Sequence, residues 1–187
     1  MNKPGSYVYF AKCLTIDGAD MNAIKVGLSS DLPTRIAALA SNQPYFCELI
    51  SAVPGDMFLE HFTHMWLREF NISGEYFRAV KEVVDLAHFA RDKGKLPFPV
   101  KFVSKNDWSF RESIDCVSYM ERKGISFADI GECVGIETAH YKKLLEREPW
   151  GNRRFLAALS VTAVKKGHSV VWVRDFKPSP VDVRKAA

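Results

Sequence analysis

The sequence has few cysteines, no long apolar run and little net charge, and each shortage excludes a class of protein. The four cysteines among 187 residues form no Cys-x-x-Cys pair, which argues against a secreted disulfide framework and favours buried, reduced thiols. No stretch approaches the about 18 consecutive apolar residues of a membrane helix, and the N-terminus has no signal-peptide core. We therefore predict a cytoplasmic protein without a membrane partner.

The net charge of +4 hides a difference between the two halves of the chain. Residues 1–93 contain 9 basic and 11 acidic side chains, whereas residues 94–187 contain 17 and 11. A positive excess confined to one part of a chain is typical of polyanion binding. The alternative is that these charges only solvate the surface.

Alternating apolar residues predict two N-terminal strands joined as a hairpin. Residues 7–11 and 23–28 alternate, and the Asp-Gly pair at 17–18 suits the turn between them. In this pairing Tyr9 and Lys25 lie on the face opposite the aliphatic side chains.

Further patterns complete an N-terminal unit. Residues 29–31 are candidate caps for a short helix that carries Arg35 in its first turn. A third strand is predicted over 45–53, and helices over 56–70 and 77–93. The prediction is an α+β fold with a small three-stranded antiparallel sheet flanked by helices.

The segment 94–99, which contains two prolines and a glycine, interrupts any helix where the charge changes sign. Beyond it the patterns predict helices over about 106–123, 126–134, 137–147 and 152–166, with a short strand at 170–173. The predicted division is a catalytic domain at 1–93, a linker at 94–101, a DNA-binding domain at 102–176 and a flexible tail at 177–187.

Five motifs of the N-terminal part occur in the order of a known family. They are Tyr-Val-Tyr at 7–9, Lys-Val-Gly at 25–27, Arg35, Glu60 with His64 four residues later, and Gly-Glu-Tyr-Phe at 74–77. Over residues 6–78 this order resembles the GIY-YIG nuclease superfamily, and its phage-associated branch in particular. The resemblance implies metal-dependent hydrolysis of DNA phosphodiester bonds.

The residues themselves suit that chemistry. Hydrolysis of a phosphodiester needs a deprotonated water and neutralisation of the charge that grows on the phosphoryl oxygens. Glu60 offers a hard oxygen ligand for Mg²⁺ or Mn²⁺, and Arg35 offers a planar donor fork for phosphate. Tyr9 and Lys25 could position and deprotonate the water, provided that one of them has a lowered pKa.

By resemblance, Tyr9 and Arg35 are catalytic, Glu60 is the metal ligand, and His64 contacts phosphate or protonates the leaving group. The chain departs from the family at Lys25, where tyrosine is usual, and at the start of the first motif, where tyrosine replaces glycine. The general base is therefore left open between Tyr9 and Lys25. Glu75 is either a second acidic site residue or a turn residue.

Residues 125–145 have the form of a helix-turn-helix. Ser126 and Asp129 make a capping pair, and Gly135 permits a left-handed turn between two amphipathic helices. The exposed side of the second helix would meet a major groove. The candidate DNA contacts are Thr138, His140, Lys142, Lys143, Arg147, Arg153 and Arg154. The alternative is a plain helical hairpin.

These patterns together predict an endonuclease that cuts double-stranded DNA with its N-terminal domain and selects the site with its C-terminal domain. A phage nuclease aimed at a replication origin, acting in the bacterial cytoplasm, is one form of this hypothesis. The alternatives are a DNA-binding regulator or initiator-like protein with a degenerate nuclease domain, and a nuclease for RNA or branched DNA. A homodimer is left open.

Overall fold

The computed structural model describes residues 5–41, 45–103, 116–146 and 153–173. Helices and strands are both present, so the predicted α+β class is confirmed. The elements up to residue 93 are β1 (Tyr7–Thr15), β2 (Asp20–Ser29), α1 (Leu32–Ser41), β3 (Tyr45–Pro54), α2 (Met57–Trp66), a 3₁₀ turn (Arg68–Phe70), β4 (Asn71–Ser73), β5 (Tyr76–Arg78) and α3 (Lys81–Lys93). The later elements are β6 (Val100–Val103), α4 (Cys116–Lys123), α5 (Phe127–Val134), α6 (Ala139–Leu145), α7 (Arg153–Lys165) and β7 (Val170–Val173).

The main sheet has five antiparallel strands in the order β3-β1-β2-β5-β4, so the prediction of three strands was wrong. The missed strands, β4 and β5, have three residues each, which is too short to show alternation. The predicted helix from residue 77 begins only at Lys81, because the preceding segment pairs with β2. In this pairing Lys25 lies opposite Tyr76.

Both faces of the sheet are buried. Val8, Phe10 and Val26 pack on one face with the apolar side of α3. Tyr9 packs on the other face with Leu39 of α1. The predicted separation of Tyr9 from the aliphatic side chains is confirmed, but the Tyr9 face is covered by a helix and is not open to solvent.

The C-terminal helices share a hydrophobic cluster with α2. Phe58, Phe62 and Met65 of α2 pack with buried residues of α4, α5 and α7, of which Phe155 and Ile130 are fully buried. The two sides of residue 94 therefore have one continuous apolar core between them.

The segment predicted as a linker makes contacts of its own. Helix α3 ends at Gly94, whose φ of 64° is the left-handed conformation that glycine adopts readily. Leu96 is buried, and the ring centroid of Phe98 lies 4.6 Å from that of Phe62. Strand β6 begins inside this segment and pairs with β7 in parallel. The domain limits stay a prediction, and their tail at 177–187 lies outside the described residues.

The other C-terminal predictions have mixed outcomes. Strand β7 is found at the predicted residues, and α5 matches its predicted range of 126–134 to within one residue. The helix predicted over 106–123 is described only from Cys116 onward, because residues 104–115 lie outside the described ranges. Within the described parts of the chain, no helix is long and apolar enough to cross a membrane.

Candidate active site

Tyr9 and Arg35 are joined by a hydrogen bond. Tyr9 lies in the middle of β1 and is fully buried, and its Oη accepts from Arg35 Nε at 3.2 Å. Asp31 fixes the start of α1 because its carboxylate accepts from the backbone N–H of Thr34. The hydrogen bond to Tyr9 raises the pKa of Arg35, so the guanidinium stays charged. Arg35 itself is exposed.

Gly27 makes room for the Tyr9 ring. The two residues are paired across β1 and β2, and a Cβ at Gly27 would lie 2.7 Å from Tyr9 Oη and 2.8 Å from Cζ. Real Cβ atoms do not approach other atoms so closely. Only glycine at position 27 is therefore compatible with this ring position.

Lys25 is held as a buried cation. Its Nζ donates to Glu75 Oε2 and lies 4.6 Å from the centroid of the Tyr76 ring. Tyr45 Oη donates in turn to Tyr76 Oη at 2.7 Å. A carboxylate and the face of an aromatic ring both suit an ammonium ion. Glu75 thus pairs with Lys25, and its role as a second acidic site residue stays a prediction.

Helix α2 carries Glu60 on the side that faces β2. The Asp56 side chain caps this helix by accepting from the backbone N–H of Leu59 at 3.1 Å, which places Glu60 in the first turn. Burial raises the pKa of the Glu60 carboxyl, and the negative charge of Glu75 raises it further. A hydrogen bond from the Leu28 backbone and the positive charges of Lys25 and Arg35 oppose this rise.

His64 lies one turn further along the same face. Its Nε2 is 3.0 Å from the carbonyl oxygen of Val26, so this nitrogen must carry the hydrogen and donate it. Burial lowers the pKa of His64, which favours the neutral ring. A neutral His64 has its single N–H engaged by Val26 and only an acceptor at its other ring nitrogen, so both predicted roles, the phosphate contact and the proton donation, require the protonated ring.

Glu60, His64 and Glu75 line one cavity of about 310 Å³. Arg68 and Arg154 line the same cavity. The sequence argument missed Arg68, although its spacing of four from His64 and eight from Glu60 could have identified it. No sequence pattern indicated that Tyr45 would support the Lys25 site.

A divalent cation fits the donors of this cavity. Mg²⁺ keeps several waters and is often held by only one or two carboxylates, which Glu60, with Glu75 nearby, can supply. Within the described residues there is no group of three or more His, Cys, Asp or Glu side chains arranged around a common point. The assignment of Mg²⁺ or Mn²⁺ to Glu60 stays a prediction.

The predicted DNA contacts of the C-terminal half are only partly described. His140, Lys142 and Lys143 are exposed, and Thr138 is half-buried. Arg147 and the side chain of Arg153 lie outside the described residues. Arg154 lies at the start of α7, in the wall of the Glu60 cavity.

The predicted helix-turn-helix segment does form two helices with a short connection. Ser126 and Asp129 make a reciprocal capping box, and Gly135 has a left-handed φ of 62°. The second helix, α6, spans Ala139–Leu145 and is shorter than the predicted range of 137–147. This geometry suits both a helix-turn-helix and a helical hairpin, so DNA binding here stays a prediction.

No protein-family model, curated protein or solved structure matches this chain. The resemblance to GIY-YIG nucleases therefore depends on the five motifs alone.

Proposed function

We propose that this protein is a metal-dependent DNA endonuclease of GIY-YIG type. The observation that supports the proposal best is the convergence of residues that are distant in sequence. The Glu60 carboxyl interacts electrostatically with Lys25, Arg35 and Glu75, and shares a cavity with His64. A phosphodiester hydrolase can use such a carboxylate to hold a metal ion and such cations to stabilise the charge that develops on the phosphoryl oxygens.

The members of the site that are not fully buried have the clearest roles. Arg35, oriented by Tyr9, binds the phosphoryl oxygens and neutralises the charge that develops on them. Glu60 holds a divalent cation, which supplies Lewis-acid stabilisation of the same charge when bound. His64 lines the cavity wall, and in its protonated form its second N–H would donate to the phosphate.

The general base stays open between Tyr9 and Lys25. Tyr9 is fully buried and Lys25 is 4% exposed, so neither accepts a proton from a water in the cavity without a side-chain movement. Both residues have clear structural roles in the present arrangement, since Tyr9 orients Arg35 and Lys25 binds Glu75.

The C-terminal half would select the DNA site. Exposed His140, Lys142 and Lys143 on α6 are suited to base and phosphate contacts, provided that α6 enters a major groove. The net positive charge of residues 94–187 supports binding of duplex DNA. An origin of replication as the target, and a homodimer on a two-fold site, are further parts of this hypothesis.

The test is cleavage of supercoiled plasmid by the full chain with Mg²⁺ or Mn²⁺, followed by mapping of the cut ends. We expect Glu60→Ala and Arg35→Ala to reduce the cleavage rate at least about 100-fold while DNA binding is retained. Glu82→Gln and Lys93→Gln, which alter exposed charges on α3, are the matched controls. Full cleavage activity in both site variants would refute the proposal.

The burial of Tyr9 and the pairing of Lys25 favour a second candidate, a DNA-binding regulator or initiator-like protein whose nuclease site is degenerate. It predicts specific, salt-sensitive DNA binding without cutting in any divalent metal. RNA and branched DNA belong in the same assay, because cleavage of these substrates without preference for duplex sequence would indicate recognition of shape.

A further inference from the structure

Two arginines from different halves of the chain line the cavity of Glu60. Arg68 lies in the 3₁₀ turn that follows α2, and Arg154 is the second residue of α7. Both side chains are exposed. The cavity thus has acidic walls at Glu60 and Glu75, and basic walls at Arg68 and Arg154.

Each arginine lies close to a residue of another element. Arg68 extends against the turn between α5 and α6, since a Cβ at Gly135 would lie 3.8 Å from its Nε. The positive charge of Arg154 adds to the burial that lowers the pKa of His64, which places the guanidinium near the imidazole. The start of α7, through Arg154, and the turn between α5 and α6, beside Arg68, therefore lie at the edge of the candidate active site.

Neither guanidinium has an ion-pair partner among the residues that the structure describes, which are 5–41, 45–103, 116–146 and 153–173. By contrast, Lys25 beside the same cavity is paired with Glu75. Two exposed guanidinium groups that line one cavity, with no carboxylate partner among the described residues, suit phosphate oxygens, which arginine binds with its planar set of N–H donors.

We propose that Arg68 and Arg154 bind a backbone phosphate of the DNA strand next to the phosphate that is cut. The inference rests on the proposed function and deepens it, because the C-terminal half then completes the active site and does more than select the DNA. The Glu60 side of the cavity receives the reacting phosphate, and the arginine side holds the neighbouring one in register.

The experiment compares Arg68→Gln, Arg154→Gln and the double variant with the wild-type full chain. Binding to duplex DNA is measured over a range of salt concentrations in a metal-free buffer, where cutting does not interfere. Because both arginines contact the same phosphate, the double variant should lose one phosphate contact, and the steepness of the fall of log K with log salt should decrease by about 1. The cleavage rate at saturating DNA should fall at least about 10-fold in the double variant.

The matched control is the double variant Arg91→Gln/Lys93→Gln, which removes two exposed positive charges from the last turn of α3, away from the cavity. A urea unfolding curve for each variant verifies that it is folded. A salt slope in the Arg68/Arg154 double variant equal to that of the control would overturn the proposal.

Other ligands of the same chemistry give distinct results. Saturable binding of inorganic phosphate that is lost in the double variant, with the DNA slope unchanged, would assign the cavity to free phosphate and overturn the proposal. Tighter arginine-dependent binding of an RNA duplex than of DNA would overturn the assignment to DNA. If Glu60→Ala and Arg35→Ala cut normally, the proposed nuclease site fails, yet the salt slope still tests the arginines.

Discussion

Lys25 and Glu75 form an ion pair across a separation of 50 residues, with unequal burial of the two partners. The lysine side chain is 6% exposed, whereas the glutamate side chain is 42% exposed. The pairing of β2 with β5 brings the two together, because Lys25 lies opposite Tyr76, the residue after Glu75. The buried cation therefore depends on a carboxylate that lies at the cavity edge.

Glu75→Gln should destabilise the protein by about 2 kcal/mol, measured by urea unfolding. This value lies between the about 0–1 kcal/mol of exposed pairs and the about 3–5 kcal/mol lost when a fully buried charge loses its partner. The control is Asp85→Asn, which breaks the exposed pair with Lys81 and should change stability by less than about 0.5 kcal/mol. Equal losses in the two variants would show that Lys25 does not depend on Glu75.

Gly27→Ala should destabilise the protein by about 1–3 kcal/mol and displace the Tyr9 ring. The added methyl group would lie within 3 Å of two Tyr9 atoms, so Arg35 would lose its hydrogen-bond acceptor as well. Gly5→Ala is the control because a Cβ there meets nothing within 4 Å. The free energy of unfolding in urea and the cleavage rate should both fall in Gly27→Ala and not in Gly5→Ala. An unchanged cleavage rate in Gly27→Ala would show that Arg35 does not need the hydrogen bond to Tyr9 for cleavage.

The sequence predicted which side chains share a face of the β1–β2 hairpin, but not which elements pack on that face. The period of two correctly placed Tyr9 and Lys25 opposite the aliphatic side chains. It contained no information on which helix would cover that face, so the burial of Tyr9 by α1 could not be predicted. Local periodicity determines the face of a strand, whereas burial depends on tertiary packing.

The cavity of Glu60 shows the same contrast between what local periodicity predicts and what tertiary packing determines. Glu60 and His64 share a helix face at a spacing of four, and this much follows from helix geometry. Glu75 reaches the cavity through strand pairing of a three-residue strand, and Arg154 through the packing of α7 on α2. Contacts of this long range are not encoded in a local pattern, so the sequence analysis placed Arg154 only among the candidate DNA contacts of the C-terminal half.

Glu60 should make stability depend on pH in the direction opposite to an ordinary paired carboxylate. Burial raises its folded-state pKa above the ordinary 4.5, so the folded state favours the protonated form. The stability contributed by this group is therefore present below about pH 4.5 and is lost as the pH rises through the raised pKa. Glu60→Gln resembles the protonated form and should lose less stability over that range.

Urea unfolding of wild type and Glu60→Gln at about pH 4 and about pH 7 measures this difference. Glu82→Gln on the exposed side of α3 shows what removal of a solvated carboxylate does at the same pH values. If the stability difference between wild type and Glu60→Gln were the same at both pH values, the raised pKa would be wrong.

His64 should titrate below its ordinary pKa of 6.5, because burial disfavours the charged ring. Stability from the neutral ring is fully present above about pH 6.5 and is lost as the pH falls toward the lowered pKa. Arg154 adds a positive charge nearby, so Arg154→Gln should move the pKa of His64 upward. NMR titration of the imidazole resonances measures both values, with Lys93→Gln as the control; an identical His64 titration in Arg154→Gln would place Arg154 away from the imidazole.

Phe62→Ala should destabilise both halves of the chain together, by about 3–5 kcal/mol. Phe62 is fully buried within the cluster that α2 shares with α7. Its ring centroid lies 4.6 Å from that of Phe98 and 6.1 Å from that of Trp66. Phe10→Ala, in the separate cluster between the sheet and α3, is the comparison variant. Because the shared core couples the two halves, amide exchange in β1 and in α7 should accelerate by similar factors in either variant. Acceleration confined to β1 in Phe10→Ala would show that the C-terminal half folds independently, as the predicted boundary near residue 94 requires.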